Sequence, residues 1–160
     1  MPVYLFTYHA YGTWLPDKPK GYVRRKEGVL PANADKADTY RGQMKYPTVT
    51  FNEPTQRLLI EAVQSTEPFL DVEFRLIATD PTHLHVLLQS RHDRPWDKLR
   101  ASIKIKLSKV LKEELGDRPW LSEGGSRKQV KEDEHLHFLE NKYLPEHRGW
   151  KWCHKRGWFR

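Results

Sequence analysis

Two strand-like runs with only Pro81 and Thr82 between them constrain this chain more than any other feature. "DVEFRLIATD" (71–80) alternates as a strand does, and the apolar run of "ATDPTHLHVLLQS" (78–90) continues after Pro81, close enough to be its antiparallel neighbour. In an extended strand the side chains at i and i+2 share a face. Leu84, Val86 and Leu88 therefore enter a core, while His83 and His85 stand together on the opposite surface. Two adjacent imidazoles make poor core residues and good metal ligands. They leave several coordination positions open, so a third protein ligand and an oxygen-rich substrate must complete a divalent site.

The elements around this pair set an architecture. "VYLFTYHAYGTWL" (3–15) is aromatic and β-branched and reads as a first strand. Residues 16–50 are dense in Pro, Gly, Lys and Asp, an excursion too long for an idle connection. "NEPTQRLLIEAVQS" (52–65) spaces Leu58, Leu59, Ala62 and Val63 as a helix, with Asn52 as its cap. The longest helix covers 95–116: Trp96, Leu99, Ile103, Leu107, Val110, Leu111 and Leu115 form its apolar stripe, and Gly116 ends it. "RPWLSEGGSRKQV" (118–130) predicts strand, Gly-Gly turn, strand. "KEDEHLHFLENKYLPEH" (131–147) returns to helical spacing through Leu136, Leu139 and Tyr143, and a basic aromatic tail closes the chain at 148–160. The order strand, helix, strand, strand, helix, strand, helix predicts an α+β fold: a ferredoxin-like split βαβ antiparallel sheet with an added C-terminal helix. Helices cover one face, and the other is expected to stay open around His83 and His85.

Composition points to a partner. At 160 residues the chain suits one domain, and 28 Lys+Arg against 21 Asp+Glu leave a net charge of +7. That excess favours a polyanion such as nucleic acid or an anionic membrane surface. Lys98, Arg100, Lys104 and Lys106 on the long helix, with Arg127 and Lys128, are candidate phosphate contacts. Among six tryptophans, Trp14 and Trp150 are candidates to stack unpaired bases. One cysteine, Cys153, excludes an internal disulfide framework and suits a reducing cytoplasm. No apolar stretch reaches the roughly 20 residues of a membrane span, and no signal-peptide pattern opens the chain.

His83-Leu84-His85 on a central strand of this pattern, followed by a C-terminal helix bearing a tyrosine, resembles the HUH single-strand DNA endonucleases. The likeness is strongest to their single-tyrosine insertion-sequence and REP-associated tyrosine transposases, and it extends from the first strand to about residue 152. It implies that His83 and His85, with a polar residue of the tyrosine helix, hold Mg²⁺ or Mn²⁺. It also implies that a tyrosine attacks a DNA phosphodiester, leaving a 5′-phosphotyrosine link and a free 3′-hydroxyl. In the family the third ligand follows the nucleophile by four residues, one helical turn on. Tyr143 and His147 satisfy that spacing. The alternative register, in "FLENK", puts Phe138 and Lys142 in the two places, and neither suits the chemistry. Pro145 departs from the family pattern, which has its proline after the third ligand; inside a helix it forces a kink or a new turn. The implied partner is single-stranded DNA, hairpin-forming at the element ends, met in the cytoplasm by a monomer or homodimer.

The same residues fit other readings. Tyr143 also fits as a core aromatic extending the Leu136–Leu139 stripe, and His147 as a surface residue near a helix end. Gln89, on the same strand face as His85, is either a contact to metal or phosphate or ordinary polar surface. Two other classes are a DNA-binding relative without the chemistry and a small zinc metallohydrolase, although no HExxH motif supplies a base for the latter.

Overall fold

The computed structural model describes residues 1–13, the backbone of 22–24 and 28–30, and residues 44–160. β1 (Val3–His9), β4 (Val72–Asp80) and β5 (His83–Ser90) form the centre of the sheet, with β5 antiparallel to both neighbours. β6 (Arg127–Val130), β7 (Lys151–Cys153) and β8 (Gly157–Phe159) complete the order β6-β1-β5-β4-β7-β8. Without β7 and β8, this is the strand order of the split βαβ arrangement. The expected α+β class and antiparallel sheet are therefore present. β2 (Tyr22–Arg24) and β3 (Gly28–Leu30) pair with each other as a separate two-stranded sheet among the described residues. The remainder of the 16–50 excursion up to residue 43, and Trp14, lie outside the described residues.

Alternation decides which helix packs where. Tyr4, Phe6 and Tyr8 of β1, Val72, Phe74 and Ile77 of β4, and Leu84, Val86 and Leu88 of β5 point to one side. There they meet Leu59, Ile60 and Val63 of α1 (Glu53–Gln64) and Leu99, Ile103, Leu107 and Leu111 of α3 (Trp96–Leu115). Each such side chain contributes about 1.5–3 kcal/mol on burial. Asn52 caps α1 by accepting from the Thr55 amide at 3.0 Å, and Gly116 terminates α3 at φ 117°. The short α2 (Glu67–Leu70) leads into β4. Leu115 lies outside the expected stripe, exposed at the last residue of α3.

Four expectations are corrected. The first strand stops at His9 rather than near 15, because the chain bridges Ala10 to Leu121 and turns at Gly12. Residues 118–130 do not form a hairpin. Their two halves follow one edge of β1 in succession: Tyr11 donates to Trp120 O, Ser122 to His9 O and Thr7 to Ser126 O. The glycines sit between those halves, and a Cβ on Gly125 would lie 2.4 Å from Thr7 O, so close approach to the strand selects glycine there.

The third correction concerns the supposedly open face. Leu5, Leu76, Ala78 and Leu87 on that side are covered by Leu139, Leu144 and Phe159. The fourth concerns the last helix. α4 (Asp133–Phe138) passes into a π-helical turn, Leu139–Tyr143, in which Leu144 N donates to Leu139 O at 3.0 Å. Pro145 has no amide proton to continue the ladder, and His147 N donates instead to Leu144 O. Within the basic aromatic tail, β7 and β8 form a hairpin whose β7 pairs with the edge of β4.

Candidate metal centre

The half-covered face has a polar end. Its register places Thr7 beside His85 and His9 beside His83 on one flank, with Ala78 and Asp80 opposite them on the other. The π turn brings the final segment back over this end. His83, His85 and His147 offer one nitrogen each, all within 4.8 Å of one another. The ring centroids lie 4.8 Å (His83–His85), 5.3 Å (His83–His147) and 4.7 Å (His85–His147) apart. Tyr143 completes the group, its ring 5.1 Å from His147 and 5.7 Å from His85.

Each histidine is oriented by a protein partner. Thr7 Oγ1 is hydrogen bonded to His85 Nδ1 at 2.8 Å, and Thr82 Oγ1 to His83 Nδ1 at 3.0 Å. His147 Nδ1–H donates to Tyr143 O at 3.0 Å, which leaves Nε2 as its lone-pair nitrogen. His85 Nε2 is buried and has no hydrogen-bond partner among the described residues. A buried, unpartnered lone pair is costly unless something takes it, and three imidazoles suit a divalent transition ion. The cluster can therefore hold a metal ion.

Electrostatics keep His85 neutral. Burial, then the neighbouring His83, His147 and His9, push its pKa down to about 2. A consequence for the metal-free protein follows. The unfolded chain binds a proton at this residue as pH falls through its ordinary value of 6.5, whereas the folded chain does not. Stability present above that value is thus lost on acidification, by about 1.4 kcal/mol per pH unit. Urea unfolding between about pH 7 and 5 in the presence of a chelator should show this slope. His85→Gln should flatten it.

The loop after the turn is fastened in place. Lys151, 1% exposed, donates from Nζ to His147 O at 2.5 Å and to Gly149 O at 2.9 Å. Gly149 N donates to Thr79 O, and a Cβ there would lie 2.5 Å from that same oxygen. Gln56 Oε1 accepts from Trp150 N. Lys151, His9 and Thr7 were not found by sequence reasoning. Alternation does put Leu5, Thr7 and His9 on one face of β1, but nothing in the sequence gives its register against β5.

Other nominated residues lie elsewhere. Gln89 accepts from Arg75 Nη1 at 3.1 Å, four residues along β5 from His85 and so roughly 13 Å away. α3 packs on the far side of the sheet from the histidines, and its cations go with it. Lys98 is exposed there, and Lys106 is half-buried. Arg100 donates to Thr7 O and Gly124 O with its guanidinium over the Tyr8 ring, and Lys104 donates to Ser122 O and Glu123 O. Both tie α3 to the sheet edge, where Arg127 covers Trp96 and Lys128 is exposed. Trp150 packs edge-on to Trp158, with Arg57 and Arg160 over its ring.

Strand order, the helices on one face and the returning C-terminal segment define an α+β domain of the fold found in HUH transposases. A solved structure with a similar fold is that of a REP-associated tyrosine transposase bound to a REP hairpin. The two superpose with a TM-score of 0.53 at 10% sequence identity, over 89% of this chain and 64% of that one. This chain thus matches somewhat under two thirds of that protein's length. No family model matches the chain, and no curated protein does. Among the described residues, no helix is long and apolar enough to cross a membrane.

Proposed function

We propose that this chain is a single HUH endonuclease-like domain that nicks and rejoins single-stranded DNA at hairpin-associated sites, as a single-tyrosine transposase does. The observation that carries the reading is the position of Tyr143, half-exposed beside His85 and His147 on a fold shared with a hairpin-bound transposase. The hydroxyl oxygen of Tyr143 attacks the phosphorus. The bond to the 3′ oxygen breaks, that oxygen leaves as a hydroxyl after taking a proton, and the 5′ phosphate stays on the tyrosine. Because the link keeps the energy of the broken bond, the 3′-hydroxyl can reverse the step without ATP. His83, His85 and His147 hold the divalent ion, with Mg²⁺ or Mn²⁺ as the family-type choices. When bound, such an ion neutralises charge on the phosphoryl oxygens and favours the phenolate. Burial supports His85 in this role by keeping it an unprotonated ligand. The partner is single-stranded DNA in the cytoplasm, engaged by a monomer or homodimer, with Arg127 and Lys128, exposed at the sheet edge, among its phosphate contacts.

Incubation with hairpin-bearing single strands and Mn²⁺, followed by a denaturing gel, tests the reading. A protein-linked 5′ product is expected. The three-imidazole donor set also suits zinc. Zinc retained through dialysis, with hydrolysis and no covalent species, would identify a metallohydrolase instead. Hairpin binding with no cleavage would identify a DNA-binding relative.

A further inference from the structure

On the covered face, beside the Tyr143 segment, lies a cavity of about 310 Å³. That is the lower end of the range, about 300–1,000 Å³, in which pockets hold small ligands. Leu76, Pro145, Cys153 and Phe159 supply apolar lining, and Arg75, Lys155 and Arg156 bring positive charge. The Arg156 guanidinium lies over the Phe159 ring at 4.2 Å, offering a flat cationic surface. Of the two carboxylates in the lining, Glu140 is ion-paired with Arg75 at 2.5 Å; Glu73 is the other.

An apolar interior with a flat cation, Arg156, and Lys155 as its cationic neighbour fits neither an isolated phosphate nor an uncharged aliphatic molecule. It fits an aromatic ring attached to a phosphate. The wall formed by Glu140, Asn141 and Pro145 belongs to the segment that carries Tyr143 and His147. The cavity therefore borders the same segment that positions Tyr143 and His147.

We propose that the cavity receives one unpaired nucleotide of the strand that Tyr143 attacks, with its base over Arg156 and its phosphate toward Lys155. This rests on the proposed function and adds a base-sensing subsite to it. The test uses a hairpin oligonucleotide with a single-stranded flank, carrying 5-iodouracil at each flank position in turn. Bound to the Tyr143→Phe protein, so that it stays uncleaved, and irradiated, one position should cross-link to the peptide 153–159. An abasic substitution at that position should weaken binding about tenfold in the otherwise unaltered protein and hardly at all in Arg156→Ala. Arg156 is exposed on the β7–β8 turn, and thermal unfolding of its variant should match the parent. Cross-links only elsewhere, or an abasic penalty unchanged in Arg156→Ala, would overturn the subsite. An adduct formed by the unaltered protein on the same strands would then leave the enzyme reading standing. A cross-link at 153–159 without any adduct would keep the subsite and remove the enzyme. Failure to bind the strand would remove both.

Discussion

Tyr143→Phe is expected to abolish the covalent DNA adduct, lowering its formation by about a thousandfold or more, while folding and hairpin binding persist. The ring is kept, so its contacts with Phe138, His85 and His147 survive, and only the attacking oxygen is lost. At 37% exposure the side chain fills no core position whose loss would unfold the domain. Tyr8→Phe gives the contrast. Its hydroxyl is committed to Arg100 O on the other side of the sheet, so the adduct should form normally. Tyr11→Phe and Tyr40→Phe should likewise retain it. Peptide mapping of the unaltered protein's adduct should recover a modified peptide containing "YLPEH". A nucleotide on another tyrosine would move the nucleophile but keep the reaction class, whereas cleavage without a covalent species would end it.

Metal binding should fall at least about a hundredfold in His83→Ala and in His85→Ala, read by calorimetric titration with Mn²⁺. Outer-partner losses alone typically cost 10–100-fold, and these variants remove ligands outright. His147→Ala should lose less, since water can take its coordination position. Three imidazoles also predict tighter binding of Mn²⁺ than of Mg²⁺, which prefers oxygen donors. The two strand variants should differ in stability, although the sequence alone put both histidines on one open face. His85 is 5% exposed and bonded to Thr7, so its removal leaves a void and an unpartnered hydroxyl, costing about 1–3 kcal/mol. His83, half-buried, should cost little.

The contrast shows how far local patterns reach. Period-two alternation put His83 and His85 on one face and Leu84, Val86 and Leu88 on the other, as the sheet has them. Helical spacing found α1 and α3, because each packs a single stripe against one sheet face. What alternation could not give was the depth of that face. Leu87 and Leu5 are as apolar as their neighbours, and only the returning C-terminal segment explains why both strand faces are apolar. The edge run 118–130 was misread because Gly-Gly serves equally well at a turn and where a backbone comes too close for a Cβ. Lys151 resembled its exposed neighbours in the tail, and only the pairing of β7 with β4 buries it. The spacing of Tyr143 and His147 was visible, but their approach to the strand histidines depended on a helix irregularity with no composition of its own.

That irregularity makes the aim of the proposed nucleophile a matter of counting. A π-helical turn is an α-helix with one residue too many, and here the surplus hands the seat on the sheet to Leu144, five places after Leu139. Closing this turn to ordinary α-helical spacing, with every residue kept, would erase no ligand and no hydroxyl. It would put the tyrosine, four places after Leu139, in the greasy seat and strand His147 out of step with its partners. In this chain, the arithmetic of the backbone guards the chemistry as strictly as the identity of the side chains.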